Sequence, residues 1–376
     1  MRILADAALP NAKEVFSQYG EVVTKAGRQI VGDDLAGIDA LIIRSVTKVN
    51  EQLLAKADKL RFIGTATAGT DHIDINFLNK RGILFDNAPG SNCESVGDYV
   101  LSVLLVLAQK YGIDFKGKSI GVIGCGHTGS QVCQKAQALG LKVVKNDPPR
   151  FRAGDQSCNA SFDEAISCDF VSFHVPLQKE GADKTYHMLD KSRLASLKAG
   201  TFVINASRGA VIDNQALYDI LSSGADLKVW CDVFEGEPEI SVKELLPYLQ
   251  GATAHIAGYS YESKRRASVM LAHSLARSLK LEDPMPYKMP AAELSALEIG
   301  KINSLDLNLI SRLVFSVYDV RSDAYLFKNS FVDGRSFDKL RVNYRERREL
   351  SSLLLRNVPK EHINLFKDLG FSVDNA

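Results

Sequence analysis

A chain of 376 residues with 45% hydrophobic and 24% charged side chains has the composition of a folded globular protein of two or three domains. Its formal net charge of +1 gives no bulk attraction to nucleic acid or to a membrane surface, and neither is expected as a partner. No apolar run reaches a spanning length, and MRILADAALP reads as a strand rather than a secretory leader.

The first 93 residues alternate short apolar runs with helical patterns. The runs are Arg2–Ala5, Glu21–Val23, Ala40–Ile43, Phe62–Gly64 and Ile83–Phe85, which predicts a parallel α/β unit. Arg44-Ser45 follows the third run, and Thr65-Ala66-Thr67-Ala68-Gly69-Thr70-Asp71 follows the fourth. Ligands of open parallel sheets bind beyond the carboxyl ends of strands, so both loops are candidates for substrate contact. Arg44 could hold an anion there, or it could pair with a nearby acid, since arginine serves both roles. Ser95–Gln109 then predicts a long apolar helix leading into a second domain.

Lys118–Asp147 is the most informative stretch. An apolar strand, Ile120–Ile123, runs into Gly124-Cys125-Gly126-His127-Thr128-Gly129, followed by helix-spaced Val132, Ala136 and Leu139 and a stop at Gly140. A second strand, Leu141–Val144, leads to Asp147, about 20 residues beyond the glycines. The first glycine permits the turn, the second admits a diphosphate to the backbone, and the third lets helix and strand pack closely. The helix N-terminus offers free N–H groups and positive dipole to the anion. Asp147 would accept from the adenosine ribose hydroxyls and repel a 2′-phosphate, which favours NAD over NADP.

Strands at Asp169–Phe173, Thr201–Asn205, Leu227–Asp232 and Ala252–His255 continue the pattern. Three polar stretches follow successive strands: Asn205-Ala206-Ser207-Arg208-Gly209, Asp232–Pro238, and Ala254-His255-Ile256-Ala257-Gly258. An arginine, a carboxylate and a histidine converging at strand ends suit hydride transfer involving a 2-hydroxy acid. Arg208 would hold the substrate carboxylate through paired donors, and His255 would remove the hydroxyl proton. Glu237 would orient the imidazole and favour its protonated form. The six cysteines lack any C-x-x-C pair and read as reduced thiols of a cytoplasmic protein, with neither disulfides nor a metal site.

Over about Met1–Leu281 the chain resembles the D-isomer-specific 2-hydroxyacid dehydrogenases. The likeness is carried by ATAGTDHIDI, NAPGSN with the SVGDYV helix, GVIGCGHTGS, FHVPL, NASRGAVID, DVFEGEPE and AHIAGYS. It implies a Rossmann-type NAD-binding domain over 94–258 and a flavodoxin-like substrate domain over 1–93 and 259–284. It also implies Arg208, Glu237 and His255 as catalytic residues. Gly126, His127, Asp147, Ala206, Ser207, Asp232 and Gly258 fall where the family contacts NAD, beside Gly124, Thr128 and Gly129 of the glycine stretch. Arg44-Ser45, TATAGTDHID, the tyrosine of HIAGY and the size of the C-terminal extension point to a member acting on a small phosphorylated hydroxy acid. The same likeness implies Ser45, Thr67 and Tyr259 as substrate contacts. The sequence departs from the family at Ala254, where proline is common, at Ser91, where cysteine is common, and at Val175, where a hydroxyl is common. The rivals are another hydroxy-acid enzyme of the family, of phosphoglycerate or glyoxylate type, and an NAD-sensing regulatory protein on the same scaffold.

Leu271–Leu281 predicts a helix returning to the first domain, and Asp283–Pro290, with three prolines, a linker. The region 285–376 reads as an α+β extension of mixed periodicity. Leu305, Leu309, Leu313 and Val314 would share one helical face, and Leu350, Leu353 and Leu354 could form another. Such faces must be buried. A symmetric partner would do so, and the resemblance implies a homodimer through this extension, although docking on the chain's own body would serve equally. Leu340–Leu350 (LRVNYRERREL) reads as a strand-like start with an arginine cluster, Arg341, Arg345, Arg347 and Arg348, interleaved with Glu346 and Glu349, which would form a solvated face or reach a partner subunit's site.

Overall fold

The computed structural model describes residues 1–286, 288–302 and 305–374. Tyr287, inside the proline-containing stretch, lies outside the described residues. The chain divides into two compact units, Met1–Asn92 with Tyr259–Pro290, and Cys93–Gly258 with Ala291–Ala376.

The first unit is built on five strands: β1 (Arg2–Asp6), β2 (Glu21–Lys25), β3 (Ala40–Ile43), β4 (Phe62–Thr65) and β5 (Leu84–Asn87). Their order is β2-β1-β3-β4-β5 and every pairing is parallel, the flavodoxin-like arrangement. ALII and FIGT are buried at every position because helices cover both faces of a parallel sheet. The strand alternation sorts the core into two layers. Ile3, Ala5, Ile42 and Phe62 pack with Leu271 and Leu275 of the helix Tyr261–Leu279, while Leu4, Leu41, Ile43 and Ile63 pack with Leu35, Leu54 and Leu78.

The larger sheet of the second unit has six strands: β6 (Ser119–Ile123), β7 (Lys142–Asn146), β8 (Phe170–Phe173), β9 (Phe202–Asn205), β10 (Lys228–Cys231) and β11 (Gly251–Ala252). They are ordered β11-β10-β9-β8-β6-β7, all parallel. From β6 the chain moves outward to β7, then returns to place β8 on the other side. That reversal is the topological switch point, where a crevice opens beyond the strands' carboxyl ends. Beyond β7, among the described residues, there is only a single antiparallel bridge, Asn146 to Asn159. The helix Cys93–Tyr111 is buried along most of its length, including Ser95, Asp98 and Ser102.

The extension belongs to this second unit. It forms a small parallel sheet of β12 (Ala296–Glu298), β13 (Leu354–Arg356) and β14 (Ser372–Val373), with helices between the strands. Several expectations change here. Leu340–Val342 is the last turn of the helix Gly334–Val342, not the start of a strand, because Asp333 and Ser336 form a capping box that starts a helix. The expected strand Ala252–His255 stops at Ala252. Leu305 precedes the helix Leu307–Val317, which buries Ile310, Leu313 and Val314. Leu313, Val314, Leu350 and Leu353 are buried within the chain itself, while Leu305, Leu309 and Leu354 are half-buried, so the chain covers the greater part of these faces. The arginine cluster is not a solvated face throughout, since Arg347 is fully buried.

Candidate active site

The glycine stretch divides its work as the spacing predicts. Gly124 lies at φ 84, and a Cβ there would meet His174 O at 2.7 Å. A Cβ on Gly129 would stand 1.9 Å from Gly124 O, so helix and loop could not close on any larger residue. A Cβ on Gly126 would meet nothing within 4 Å. The middle position is therefore open toward the crevice while its two neighbours are packed, as a backbone that receives a diphosphate requires. The helix His127–Ala138 starts here with Gly126 as its N-cap, and His127 is exposed at its first turn.

Asp147 follows β7 and has two partners in its own unit. Oδ2 accepts from Cys125 N (2.7 Å) and Oδ1 from Arg150 N (3.0 Å), so it ties down the glycine loop and caps the helix Pro148–Arg152. Each oxygen keeps a second lone pair for a ribose hydroxyl. The neighbouring guanidiniums are committed, Arg150 to Asp155 (2.8 Å) and Arg152 to Asp183. A cavity of about 750 Å³, lined among others by Gly124, Gly126, Asp147, Phe151, His174 and Val175, lies beside the loop. That volume lies in the range of small-molecule and cofactor sites. The residues present fit a dinucleotide.

His255, Glu237 and Arg208 follow β11, β10 and β9. His255 Nδ1 lies 2.6 Å from Glu237 Oε2, and Glu237 Oε1 accepts from Phe234 N (2.7 Å). An ionised carboxylate can only accept, so Nδ1 carries the proton of this bond and Nε2 is left for a substrate. Burial would raise the Glu237 carboxyl, but the charge and hydrogen bond of His255, with Phe234 N–H, hold it below the ordinary glutamate value. Arg208 follows a local turn: Asn205 Oδ1 accepts from Ser207 N (3.2 Å) and Ser207 Oγ (2.9 Å), and Asn205 Nδ2 donates to Arg208 O (3.0 Å). Ala206 and Ser207 form this turn at the end of β9.

Asp232 is turned inward. It accepts from Thr253 Oγ1 (2.6 Å), Ile256 N (2.8 Å) and Ala257 N (2.9 Å), and its own carbonyl accepts from His255 N (2.7 Å). Burial pushes its carboxyl above the ordinary range, against the pull of these donors. Behind it runs a donor chain, Trp230 Nε1 to Tyr99 Oη (2.8 Å), Tyr99 Oη to Thr253 Oγ1 (2.6 Å), then Thr253 to Asp232. Sequence reading missed Trp230, Tyr99 and Thr253. Only their polar ends signalled a buried role, because a buried Tyr or Trp must find a partner. The segment that Asp232 holds ends at Gly258.

In the first unit, Arg44 follows β3 and Nη2 lies 3.4 Å from Tyr259 Oη, with its guanidinium 5.8 Å from that ring's centroid. Among the described residues Arg44 has no carboxylate partner, so the salt-bridge alternative is not the one adopted. Ser45 follows it. Thr67 Oγ1 donates to Gly69 O (2.7 Å) and lies 2.9 Å from Thr65 Oγ1, which lies 2.9 Å from His72 Nε2. Thr65 stands in the sequence only as the first residue of its candidate loop and His72 within the motif ATAGTDHIDI, with no role of its own expected for either.

The comparisons with known proteins agree with this geometry. Residues 106–257 match the family described as D-isomer specific 2-hydroxyacid dehydrogenase, NAD binding domain, and residues 289–370 match a domain of unknown function. The chain is 46% identical over 361 residues to an erythronate-4-phosphate dehydrogenase of Aeromonas hydrophila, covering 95% of each chain. It is 43% identical to the enzyme of the same name from Tolumonas auensis, covering 99% of each. In fold it is similar to the D-lactate dehydrogenase of Aquifex aeolicus solved with NAD and lactic acid, with a TM-score of 0.61, 24% identity, and coverage of 74% of this chain and 96% of that one.

Proposed function

Because the chain belongs to the D-isomer specific 2-hydroxyacid dehydrogenase family, we propose that it oxidises 4-phospho-D-erythronate at C2 to 2-oxo-3-hydroxy-4-phosphobutanoate with NAD, a step of pyridoxal phosphate biosynthesis. The observation that carries this reading is similarity to erythronate-4-phosphate dehydrogenases along 95–99% of the chain, extension included. A phosphoglycerate enzyme could carry a regulatory tail and a sensor of NAD could retain the catalytic trio, but neither rival accounts for likeness to erythronate-4-phosphate dehydrogenases through the extension.

In this mechanism Arg208 binds the substrate carboxylate and stabilises the charge that develops as C2–O becomes a carbonyl. His255 Nε2 takes the C2 hydroxyl proton, and Glu237 stabilises the imidazolium that forms. When bound, NAD supplies the acceptor for the C2 hydride, so alcohol and NAD give ketone, NADH and one proton. Gly124, Gly126, His127, Thr128 and Gly129 would hold the diphosphate, and Asp147 the adenosine ribose. Ala206, Ser207, Asp232 and Gly258 would form the wall near the nicotinamide. Arg44, with Ser45, Thr67 and Tyr259, would receive the substrate in the first unit, where an arginine without a carboxylate partner is suited to a phosphate.

The reading includes a cytoplasmic homodimer joined through the extension. No helix among the described residues is long and apolar enough to cross a membrane. Support for the dimer comes from exposed Tyr325, Val332 and Val342 on and between the helices Val320–Ser330 and Gly334–Val342, rather than from the leucine faces. The test is NAD reduction with phosphoerythronate beside phosphoglycerate, glycerate and lactate. A preference for any of the other three would transfer the chain to another activity of the family.

A further inference from the structure

The extension contributes one charge to the interior that its sequence does not advertise. Arg347 is 1% exposed, although it sits in a run rich in charged residues. Its Nη2 donates to Ser95 O (2.5 Å) and its Nη1 to Ala257 O (3.1 Å). The guanidinium carbon lies 3.5 Å from the centroid of the Tyr318 ring. A buried guanidinium is tolerated only where its surroundings replace water. Here burial works against the charge, but Tyr318, Tyr344, Asp98 and Asp323 hold the Arg347 pKa above its ordinary value.

The second carbonyl it grips is two residues beyond His255. His255 lies at φ 54, in the left-handed region that a non-glycine residue keeps only when its neighbours over-determine it. From one side Asp232 holds His255, Ile256 and Ala257 through three N–H groups. From the other side, Ala257 O accepts from Ser95 Oγ (3.0 Å) and from Arg347. Ser95 opens the long helix Cys93–Tyr111, so one planar group ties that rigid element to the histidine's own segment. Lysine, with a single ammonium on a flexible stem, could not span both carbonyls in a fixed geometry.

We propose that Arg347 is a positioning residue for His255, so that the C-terminal extension completes the active site of its own chain by clamping the 255–258 segment against the first turn of the helix Cys93–Tyr111. This rests on the reading of His255 as the base. It assigns to a region whose family model is a domain of unknown function a role in the chemical step, separate from any role in assembly.

The experiment compares full-length wild type, Arg347→Met, Arg347→Lys and His255→Ala with NAD and 4-phospho-D-erythronate, each normalised to sites counted by NADH binding. Misplacing a catalytic group by a fraction of an ångström should lower kcat about 10–100-fold in Arg347→Met, with KM and the NADH Kd within about threefold of wild type. Arg347→Lys, reaching one carbonyl, should recover only part of the loss, to between about a tenth and a half of the wild-type kcat. If Arg347→Met does not fold by circular dichroism, the lysine variant decides: a lowered kcat at unchanged KM supports positioning. A wild-type kcat per site in whichever variants fold overturns it, as does failure of both to fold, which makes Arg347 a core residue only. An inactive His255→Ala beside an unimpaired Arg347→Met would sink this inference alone. A fully active His255→Ala would sink the assignment of the base, and this inference with it.

Discussion

His255 can serve as a base only while Glu237 holds its Nδ1 proton and leaves Nε2 free for the substrate. His255→Ala should lower kcat by about 10²–10⁴-fold, with NADH affinity retained, as steady-state rates and fluorescence titration would show. Glu237→Gln should cost a comparable share of kcat, because an amide stabilises the imidazolium less than a carboxylate. Both residues were legible from their places after successive strands. His174 was legible only as part of FHVPL. Its Nε2 lies 2.8 Å from Ser172 Oγ, and burial depresses the imidazole pKa to about 3. The sign follows from linkage. Between that value and the ordinary 6.5 the unfolded chain binds the proton and the folded one does not, so stability is present above about pH 6.5 and declines as pH falls. The slope from this one group is at most about 1.4 kcal/mol per pH unit. His174→Asn should therefore show a shallower fall of Tm than wild type between about pH 6.5 and 4.5. Equal slopes would mean that another group governs the acid limb.

The glycine loop and its helix make a sharper case, because three glycines of one motif should behave differently. Gly129→Ala puts a Cβ 1.9 Å from Gly124 O and should fail to give soluble protein. Gly126→Val fills open space and should keep the fold, while NADH binding weakens about tenfold or more. A Gly126→Val protein that bound NADH normally would show that the diphosphate does not approach there. Asp147 separates two roles in the same way. Serine can still cap the helix Pro148–Arg152 but lacks the charge, whereas alanine also loses the cap, worth about 1 kcal/mol. Both variants give up the acceptor for Cys125 N, so each should lower Tm while narrowing the preference for NAD over NADP, and Asp147→Ala, which also loses the cap, should lower it further. These elements were readable because periodicity and turn chemistry agree within them. The strands β12, β13 and β14 were not readable, since runs of two or three residues carry too few alternations to show a period.

The architecture of the two larger parallel sheets could be read from alternating apolar runs, but the manner in which the extension is buried could not. Its leucine faces signalled only that something must cover them, and a single sequence does not say whether a partner or the chain itself does so. The structure covers the greater part of them within the second unit and adds polar ties. Lys135 pairs with Asp98 (2.9 Å) and donates to Leu369 O (2.6 Å), while Asp98 Oδ2 accepts from Leu350 N (2.9 Å). Such contacts join residues far apart in sequence and leave no local pattern. They also change which experiment tests the homodimer. Removing 291–376 would strip partners from Asp98 and Lys135 and expose a buried ion pair, so loss of solubility would say nothing about assembly. The exposed apolar side chains Tyr325, Val332 and Val342, at 72%, 75% and 71% exposure, are a better target because nothing in the unit depends on covering them. A charge at an exposed position changes stability by no more than about 0.5 kcal/mol, whereas the same charge desolvated at a dimer contact is strongly unfavourable. Val332→Asp combined with Val342→Asp should therefore keep the wild-type circular dichroism and Tm of the subunit while light scattering reports the mass of one chain instead of two. A double variant that retains twice the chain mass at micromolar concentration would place the interface on another surface.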